Sequence, residues 1–517
     1  MTVTASVDGY NFINGCEAAA DWTGESPADV ADFFKYGTQC VGFVFRGVGD
    51  NDSYITVAED LSGTAHLRFW FMTTAINELN TDANGGIQVY LSDGANTGYW
   101  YVGGSTTYPG GWYNIVVDLS RDVDSGTKPT MTAITTLGIR INQTAAPKNV
   151  QNTWIDHIYA GNGIISYGDD GGSAYDLDDI LAIDQNTTYG WGILRKISGI
   201  YYLNGKLIFG DASGTNSCEF ADASEIIIFE DRKVNDALYS ITVVGNGTGT
   251  TNFKLGTKAG TAGVEGCVIK AEGTKKYDVI CTDTDVAYFK LYGCTFLDAD
   301  VIQLPLYSSG NREMLNCNVE ASAQIEASTC TITNLNIITA DTRGVLITGE
   351  TFYMTDSALI NCPSGIHINT SGTFNLDAIQ FINCVWDIEN SSAGNVIINN
   401  LPGSNASTYV NTGGGTVTIQ TSVYITIDVE DTDGNPIVSG RVAVYKTSDD
   451  SELMREYTTA AGQAQEVFNY VEDTDIYVRI RKSSVGETRY YPYNTTGEIT
   501  DGGYTLTAVM IEDTIVQ

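Results

Sequence analysis

Hydrophobic and polar residues alternate along much of this chain with a period of two, the period of a β-strand with one buried face. In HLRFWFM, Leu67, Phe69 and Phe71 point one way and Arg68, Trp70 and Met72 the other. In GIQVYLSD, Ile87, Val89 and Leu91 face in, while Gln88 and Tyr90 face out. In WYNIVVDLS, Tyr113, Ile115, Val117 and Leu119 face in, while Trp112 and Asn114 face out. In LGIRIN, Leu137, Ile139 and Ile141 face in, while Arg140 and Asn142 face out. Turn signals such as SDGANTG and YPGG part these strands. Residues 1–162 therefore read as a β-sandwich of jelly-roll type.

A different pattern fills residues 163–420. VEGCVIKA, LYGCTFLDA, MLNCNVEA, ITNLNIITA, LINCPSGI and FINCVWDI share a Gly or Asn, at Gly266, Gly293, Asn316, Asn336, Asn361 and Asn383. An apolar–x–[Asn/Gly]–x unit that recurs at about one coil length marks a β-solenoid, in which each coil buries its face only by stacking on the next. Asn tolerates the left-handed backbone of a corner, and its amide can ladder between coils. A cysteine after the corner fills a narrow interior. A second, irregular sandwich is the alternative reading. The stretch GDDGGSAYDLDDILAID suits a short helix, in a segment that caps the open start of the stack. From residue 421 to 517 alternation returns in VYITIDVED, IYVRIRK and GYTLTAVMIE, which suits a small immunoglobulin-like or transthyretin-like sandwich. The expected fold is all-β: an N-terminal jelly-roll sandwich (1–162), a cap and central right-handed parallel β-helix (163–420), and a C-terminal Ig-like sandwich (421–517).

Composition narrows the function. With 27 basic and 63 acidic side chains the net charge is −36, which repels nucleic acid and anionic membrane alike. No apolar run is long enough to cross a membrane as a helix. MTVTASVDGY has neither a basic n-region nor an apolar h-region, so no signal peptide is expected and assembly in a reducing cytosol is. The ten cysteines are then expected to be free and mostly buried. No C-x-x-C or His/Cys cluster supports zinc, and no cofactor is expected.

Candidate chemistry comes from the outward rows of the first domain. Residues 99–113, YWYVGGSTTYPGGWY, hold six aromatics: Tyr99, Trp100, Tyr101, Tyr108, Trp112 and Tyr113. If the four strands above are neighbours, Trp70, Tyr90 and Trp112 share one face with Arg68, Gln88, Asn114, Arg140 and Asn142. Flat rings beside amides and guanidinium groups suit a sugar, whose C–H faces stack and whose hydroxyls find partners. The competing reading is that another sheet or subunit covers this face. Alternation leaves open which of Tyr99, Trp100 and Tyr101 join it. Asp169, Asp170, Asp176, Asp178 and Asp179 suit calcium by ligand type but lack the spacing of a calcium loop, and turn and helix-cap roles explain most of them. For glycosidase chemistry, Asp298, Asp300, Glu313 and Glu320 are carboxylates that a solenoid would present. His66, His157 and His367 lie far apart in sequence, and no Ser-His-Asp motif stands out.

Three stretches together carry a resemblance. NGGIQVYLSDGANTGYWYVGGSTTYPGGWYNIVVDLSR with NTWIDHIYAG resembles the N-terminal jelly-roll segments of tailed-phage virion proteins, and also carbohydrate-binding modules that close on an Ile-Asp-x-Ile strand such as Ile155–Ile158. The solenoid repeat is similar to the β-helices of phage tailspikes and fibres. VEDTDGNPIVSGRVAVY, residues 429–445, looks like the Ig-like modules of phage surfaces. The resemblance implies a non-enzymatic structural protein on a virion exterior (capsid decoration, head fibre or tail fibre), assembled in the host cytoplasm. Its implied partners are other capsid or tail proteins, two further copies in a homotrimer, and a cell-surface glycan. It implies no catalytic residue. A tailspike depolymerase that cleaves host polysaccharide and a free carbohydrate-binding module protein are the alternatives.

Overall fold

The computed structural model describes residues 3–106, 111–147, 150–169, 176–184, 188–210, 217–220, 225–233, 239–245, 251–259, 263–281, 286–304, 312–327, 330–349, 352–483 and 487–514. The fold is almost entirely β, as the alternation requires. The chain divides into two compact units, Met1–Ile325 and Glu326–Gln517.

The first unit opens with two antiparallel sheets packed face to face. One sheet has the order Tyr113–Asp118, His66–Thr73, Thr153–Gly161, Cys40–Phe43, Ala28–Val30. The other runs Ser125–Gly126, Thr97–Gly103, Ile87–Ser92, Ile134–Gln143, Gly49–Glu59, Trp22–Gly24. All the inward rows read from the sequence enter one core. Leu67, Phe69, Phe71, Ile115 and Val117 meet Ile87, Val89, Leu91, Leu137, Ile139 and Ile141, with Tyr113 at the margin. Trp100 joins this core, fully buried.

The first strand, Val3–Val7, lies outside the sandwich. It pairs antiparallel with Ile164–Asp169, which starts a parallel ladder through Lys206–Phe209, Ser240–Val243, Tyr277–Ile280 and Ala299–Gln303. Two more parallel ladders run beside it. One passes through Ile200–Leu203, Ile226–Phe229, Val268–Ala271, Thr295–Leu297 and Asn318–Glu320. The other passes through Ser217–Phe220, Thr251–Leu255, Val286–Tyr292 and Arg312–Leu315. Each turn of chain thus contributes three short strands that stack on the next turn. The expected helix is present as Leu177–Asp184.

The second unit repeats the device and then changes it. Tyr353–Ile360, Gly372–Ile382, Asn395–Asn400 and Thr416–Asp431 stack in parallel, and so do Val345–Ile347, Ser364–Ile368, Trp386–Asn390 and Tyr409–Asn411. Thr416–Asp431 continues past the coils without a break. Its second half pairs with Gln463–Asn469 and Tyr504–Met510 to make one sheet of a sandwich. Glu452–Tyr457, Arg441–Lys446, Thr474–Arg481 and Tyr493–Ile499 form the other, over a core that includes Ile425, Ile427, Val444 and Val478.

The corners explain the repeat, with one correction. Gly293, Asn316, Asn361 and Asn383 have left-handed φ of 54–61°, and each precedes a cysteine. In ITNLNIITA the corner is Asn334, at φ 53°, and Asn336 instead opens the strand Asn336–Ile338. Leu335 takes the place that cysteine holds elsewhere, so an apolar residue after the corner, buried at each of these corners except that of Cys384, is the constant feature. Gly266 serves closeness rather than handedness, because a Cβ there would stand 2.1 Å from the backbone of Gly293 one coil on. Nine cysteines are described; all are free and all but Cys384 are buried.

Candidate functional site

The eight outward residues read from the sequence do not share a face. Arg68, Trp70, Trp112 and Asn114 belong to the sheet of His66–Thr73, where Asn114 pairs with Trp70 and Val116 with Arg68. Gln88, Tyr90, Arg140 and Asn142 belong to the opposite sheet, where Gly138 pairs with Tyr90 and Arg140 with Gln88. With the core between the sheets, the two groups lie on opposite outer surfaces. The single platform therefore splits in two.

The outer surface of the first sheet is covered. The Trp70 indole N–H donates to Gly190 O at 2.6 Å, Asn114 Nδ2 to Trp191 O at 3.1 Å and Tyr159 OH to Trp191 O at 2.8 Å. Arg68 donates to the carbonyl and side chain of Asn204. Arg68, Trp70 and Asn114 are consequently almost wholly buried. Asp156 is buried on the same sheet and accepts the N–H groups of Lys35 and Tyr36. Burial pushes its pKa up to about 7, against those hydrogen bonds. Trp112 is half-buried beside Phe33 and packs with Val30, Cys40 and Trp154. Arg68, Trp70 and Asn114 are therefore not offered to a ligand, and Trp112 keeps only part of its ring exposed.

The outer surface of the second sheet is different. Tyr54, Asp52 and Asp50 on Gly49–Glu59 pair with Gly138, Arg140 and Asn142 on Ile134–Gln143. Beyond these lie Gln88 and Tyr90, then Tyr101 and Tyr99. Arg140 is clamped: Nε and Nη2 reach the two oxygens of Asp52 at 2.7 and 2.9 Å, and Nη1 reaches Asp50 at 3.1 Å. Its guanidinium carbon lies 4.3 Å from the centre of the Tyr99 ring, and Tyr99 packs against Tyr90 with centroids 5.4 Å apart. The hydrogen bonds that Arg140 donates to Asp52 raise its pKa further, so the charge is permanent. Asn142 accepts from Asn80 and donates to Asp50.

Two residues of this face act as support. Gln88 is buried and donates to Gly85 O at 2.7 Å. Tyr90 is 8% exposed and lies over Gly138, where a Cβ would come within 2.2 Å of its ring. Burial and the charge of Asp52 hold its phenol proton on. Tyr54, Tyr99, Tyr101, Arg140 and Asn142 remain half-exposed, with Asp50 exposed. Sequence reading missed Tyr54, Asp50 and Asp52. Glycine inside LGIRIN was the available signal, since a strand glycine marks a close approach by a neighbouring group.

The second unit holds a groove of about 510 Å³, lined in part by Tyr353, Tyr424, Asp377 and Glu466. Tyr424 OH donates to Asp377 at 3.4 Å. None of the carboxylates singled out from the sequence lines it. Glu313 is tied to Lys258 Nζ and Tyr292 OH, both at 2.8 Å, while Asp298 sits at a corner with φ 62°. Asp300 and Glu320 are exposed.

Among the acidic stretch, Asp176 accepts the N–H groups of Asp178 and Asp179 as a helix cap, and Asp178 pairs with Lys196. The side chain of Asp169, and Asp170 and Tyr108 entirely, lie outside the described residues. Among the described residues no group of three or more His, Cys, Asp or Glu is placed to hold a metal. No helix there is long and apolar enough to cross a membrane.

No protein-family model matches the chain, and no curated protein does. Several solved structures show partial likeness. A family 11 carbohydrate-binding module from Clostridium thermocellum, in complex with a β-1,3-1,4-mixed-linked tetrasaccharide, is 12% identical over 30% of this chain and 98% of its own, with a TM-score of 0.23. A C-terminal family 22 module of Clostridium thermocellum Xyn10B is 12% identical over 30% of this chain and 96% of its own, with a TM-score of 0.17. The catalytic domain of a GH87 α-1,3-glucanase in complex with nigerose is 11% identical over 87% of this chain and 79% of its own, with a TM-score of 0.19. Likeness at these TM-scores does not decide what this chain binds.

Proposed function

We propose that this protein adheres to glycans through the outer face of the second sheet, as a structural protein on the surface of a tailed-phage virion. One observation carries the adhesive half: Arg140 is fixed by Asp50 and Asp52 over the Tyr99 ring, with Tyr54 and Tyr101 on the same face. A sugar needs ring faces for its C–H groups and rigid donors and acceptors for its hydroxyls, and a clamped guanidinium loses little freedom on binding. The virion half rests on the repeat and on the resemblance of the three zones. In this reading the stacked coils are a stiff shaft, and the high negative charge keeps neighbouring copies apart.

The test has two parts. A printed array of neutral and acidic oligosaccharides should give binding that is lost in Tyr99→Ala and kept in Trp112→Ala. Immunogold with an antibody to this chain should decorate intact particles; gold on the head favours a decoration or head fibre, and gold on the tail a tail fibre. Unlabelled particles would remove the virion half and leave a carbohydrate-binding protein. A second reading, cleavage of the polysaccharide, draws on the groove in the second unit, because Asp377 and Glu466 border it with two tyrosines. Release of reducing ends that stops in Asp377→Asn would favour it.

A further inference from the structure

Two coils of the second unit bring together groups that lie a coil apart in sequence. Ser364–Ile368 and Trp386–Asn390 pair in parallel, with His367 directly opposite Glu389. Ser391 follows the second strand, and its N–H donates to Ile368 O at 2.9 Å. This places Ser391 Oγ 2.6 Å from His367 Nε2. On the other side of the ring, His367 Nδ1 stands 3.7 Å from Glu389 Oε2. Glu389 is itself steadied by Thr412, whose hydroxyl donates to Oε1 at 3.3 Å.

We propose that Ser391, His367 and Glu389 form an ester-hydrolysing site, with Ser391 as nucleophile, His367 as general base and acid, and Glu389 as the positioning residue. A hydroxyl, an imidazole and a carboxylate in a row are the arrangement that activates a serine, whatever the fold and chain order. A serine–histidine bond alone is a polar tie between coils. Here the far nitrogen also faces a carboxylate, and the ring is buried while Ser391 and Glu389 stay half-exposed. Burial lowers the His367 pKa, and the charge of Arg343 lowers it further against the pull of Glu389. The ring is therefore neutral near pH 7, with Nε2 free to accept the serine proton and Nδ1–H directed at Glu389. His367 Nδ1 makes no hydrogen bond here, and its 3.7 Å to Glu389 becomes an ion-pair contact once the ring is charged.

The reaction balances without any further reagent. Ser391 Oγ attacks the ester carbonyl carbon and its proton passes to His367 Nε2. The carbonyl electron pair moves onto oxygen. The oxyanion collapses, the bond to the alcohol oxygen breaks, and His367 returns its proton to that alcohol. Water then attacks the acyl-serine, giving its proton to His367, and the acid departs with Ser391 restored. Ester and water become acid and alcohol.

Ser391 is half-exposed just before the bend 392–394, where Ala393 is exposed, which suits a short acyl group carried on a large polymer. The structure thus points to O-acetyl groups on a polysaccharide. That choice of carrier rests on the glycan reading above; the ester chemistry does not. The activity goes beyond adhesion, since it removes an acyl group and leaves the sugar backbone whole.

The full-length protein should take a fluorophosphonate label at Ser391, read by peptide mass spectrometry, and should hydrolyse p-nitrophenyl acetate. Ser391→Ala and His367→Gln should lose the label and about 100-fold or more in rate while remaining folded by circular dichroism. Glu389→Gln should lose roughly 10-fold and move the acid limb of the pH–rate profile to lower pH, because Glu389 supports the charged ring. Acetate release from an O-acetylated polysaccharide should follow the same variants. A wild-type protein that takes no label, and hydrolyses the test ester no faster than Ser391→Ala, overturns the site. Hydrolysis of the test ester without acetate release from the polymer overturns the carrier and leaves the triad standing.

Discussion

The two sheets of the N-terminal sandwich carry the same signature and meet opposite fates. Each presents an outward row with an aromatic, an arginine and an amide: Trp70, Arg68 and Asn114 on one, Tyr90, Arg140 and Asn142 on the other. On the first sheet these groups are sealed beneath Gly190, Trp191 and Asn204, and each donates a hydrogen bond into that cover. On the second, Arg140 finds its partners within the sheet itself, in Asp50 and Asp52. The difference lies in where the donors go. A polar outward row satisfied by a distant segment is a packing surface; one satisfied by its own neighbours is free to meet something else.

This contrast predicts separable effects. The largest is on stability. Trp70→Ala should cost about 3–5 kcal/mol in chemical denaturation, since it empties a buried site and orphans the Gly190 carbonyl. Glycan affinity measured where the variant is still folded should change little. A covered face that tolerated this change would break the comparison.

The second effect is a pH dependence contributed by the covered face. Asp156 has a folded pKa of about 7 against an ordinary value of 3.8, owing to burial. Below the lower value it contributes nothing, because both states hold the proton. As pH rises from about 4 to 7 the unfolded chain releases the proton and the folded chain keeps it, so stability falls, by at most about 4 kcal/mol. His157 acts in the opposite sense: burial lowers its pKa to about 3 from 6.5, so its contribution is lost as pH falls through that window. The decisive quantity is therefore the stability of wild type minus that of Asp156→Asn, measured from pH 4 to 7. It should decrease steadily with rising pH. A flat difference would show that the Asp156 carboxyl is not held as the structure implies.

Smaller effects belong to the open face. Tyr99→Ala should weaken glycan binding by roughly 10-fold or more while costing less than about 1–2 kcal/mol in stability, because the ring is only half-buried. Gly138→Val should weaken binding less directly, by displacing Tyr90 from its seat. Trp112→Ala should leave affinity unchanged, which sharpens the contrast by separating an aromatic that packs from one that presents itself.

Much of this was legible in the chain. Alternation assigned the inward rows correctly because a period of two is dictated by the strand backbone and needs no knowledge of neighbours. It was silent on which strand lies beside which, and so placed Trp70 and Tyr90 together when the core separates them. Sheet order is set by contacts distant in sequence, such as Trp70 with Gly190, that no local pattern records. The stacked parallel strands were more transparent, since each turn of chain repeats its own corner. Even there the register slipped at Asn336, because ITNLNIITA offers two asparagines, each followed by a buried apolar residue, and only the backbone of Asn334 turns left-handed. The meeting of His367, Glu389 and Ser391 was hidden for a related reason: one coil length brings them together, and that length is a property of stacking.

The central claim is that the open face of the second sheet, and not the covered face of the first, meets a glycan. The most direct measurement is isothermal titration of wild type, Tyr99→Ala and Trp112→Ala with the oligosaccharide that gives the strongest signal on the array. The account predicts equal affinity for wild type and Trp112→Ala and a loss of at least about 10-fold for Tyr99→Ala. Loss in Trp112→Ala with binding intact in Tyr99→Ala would contradict it.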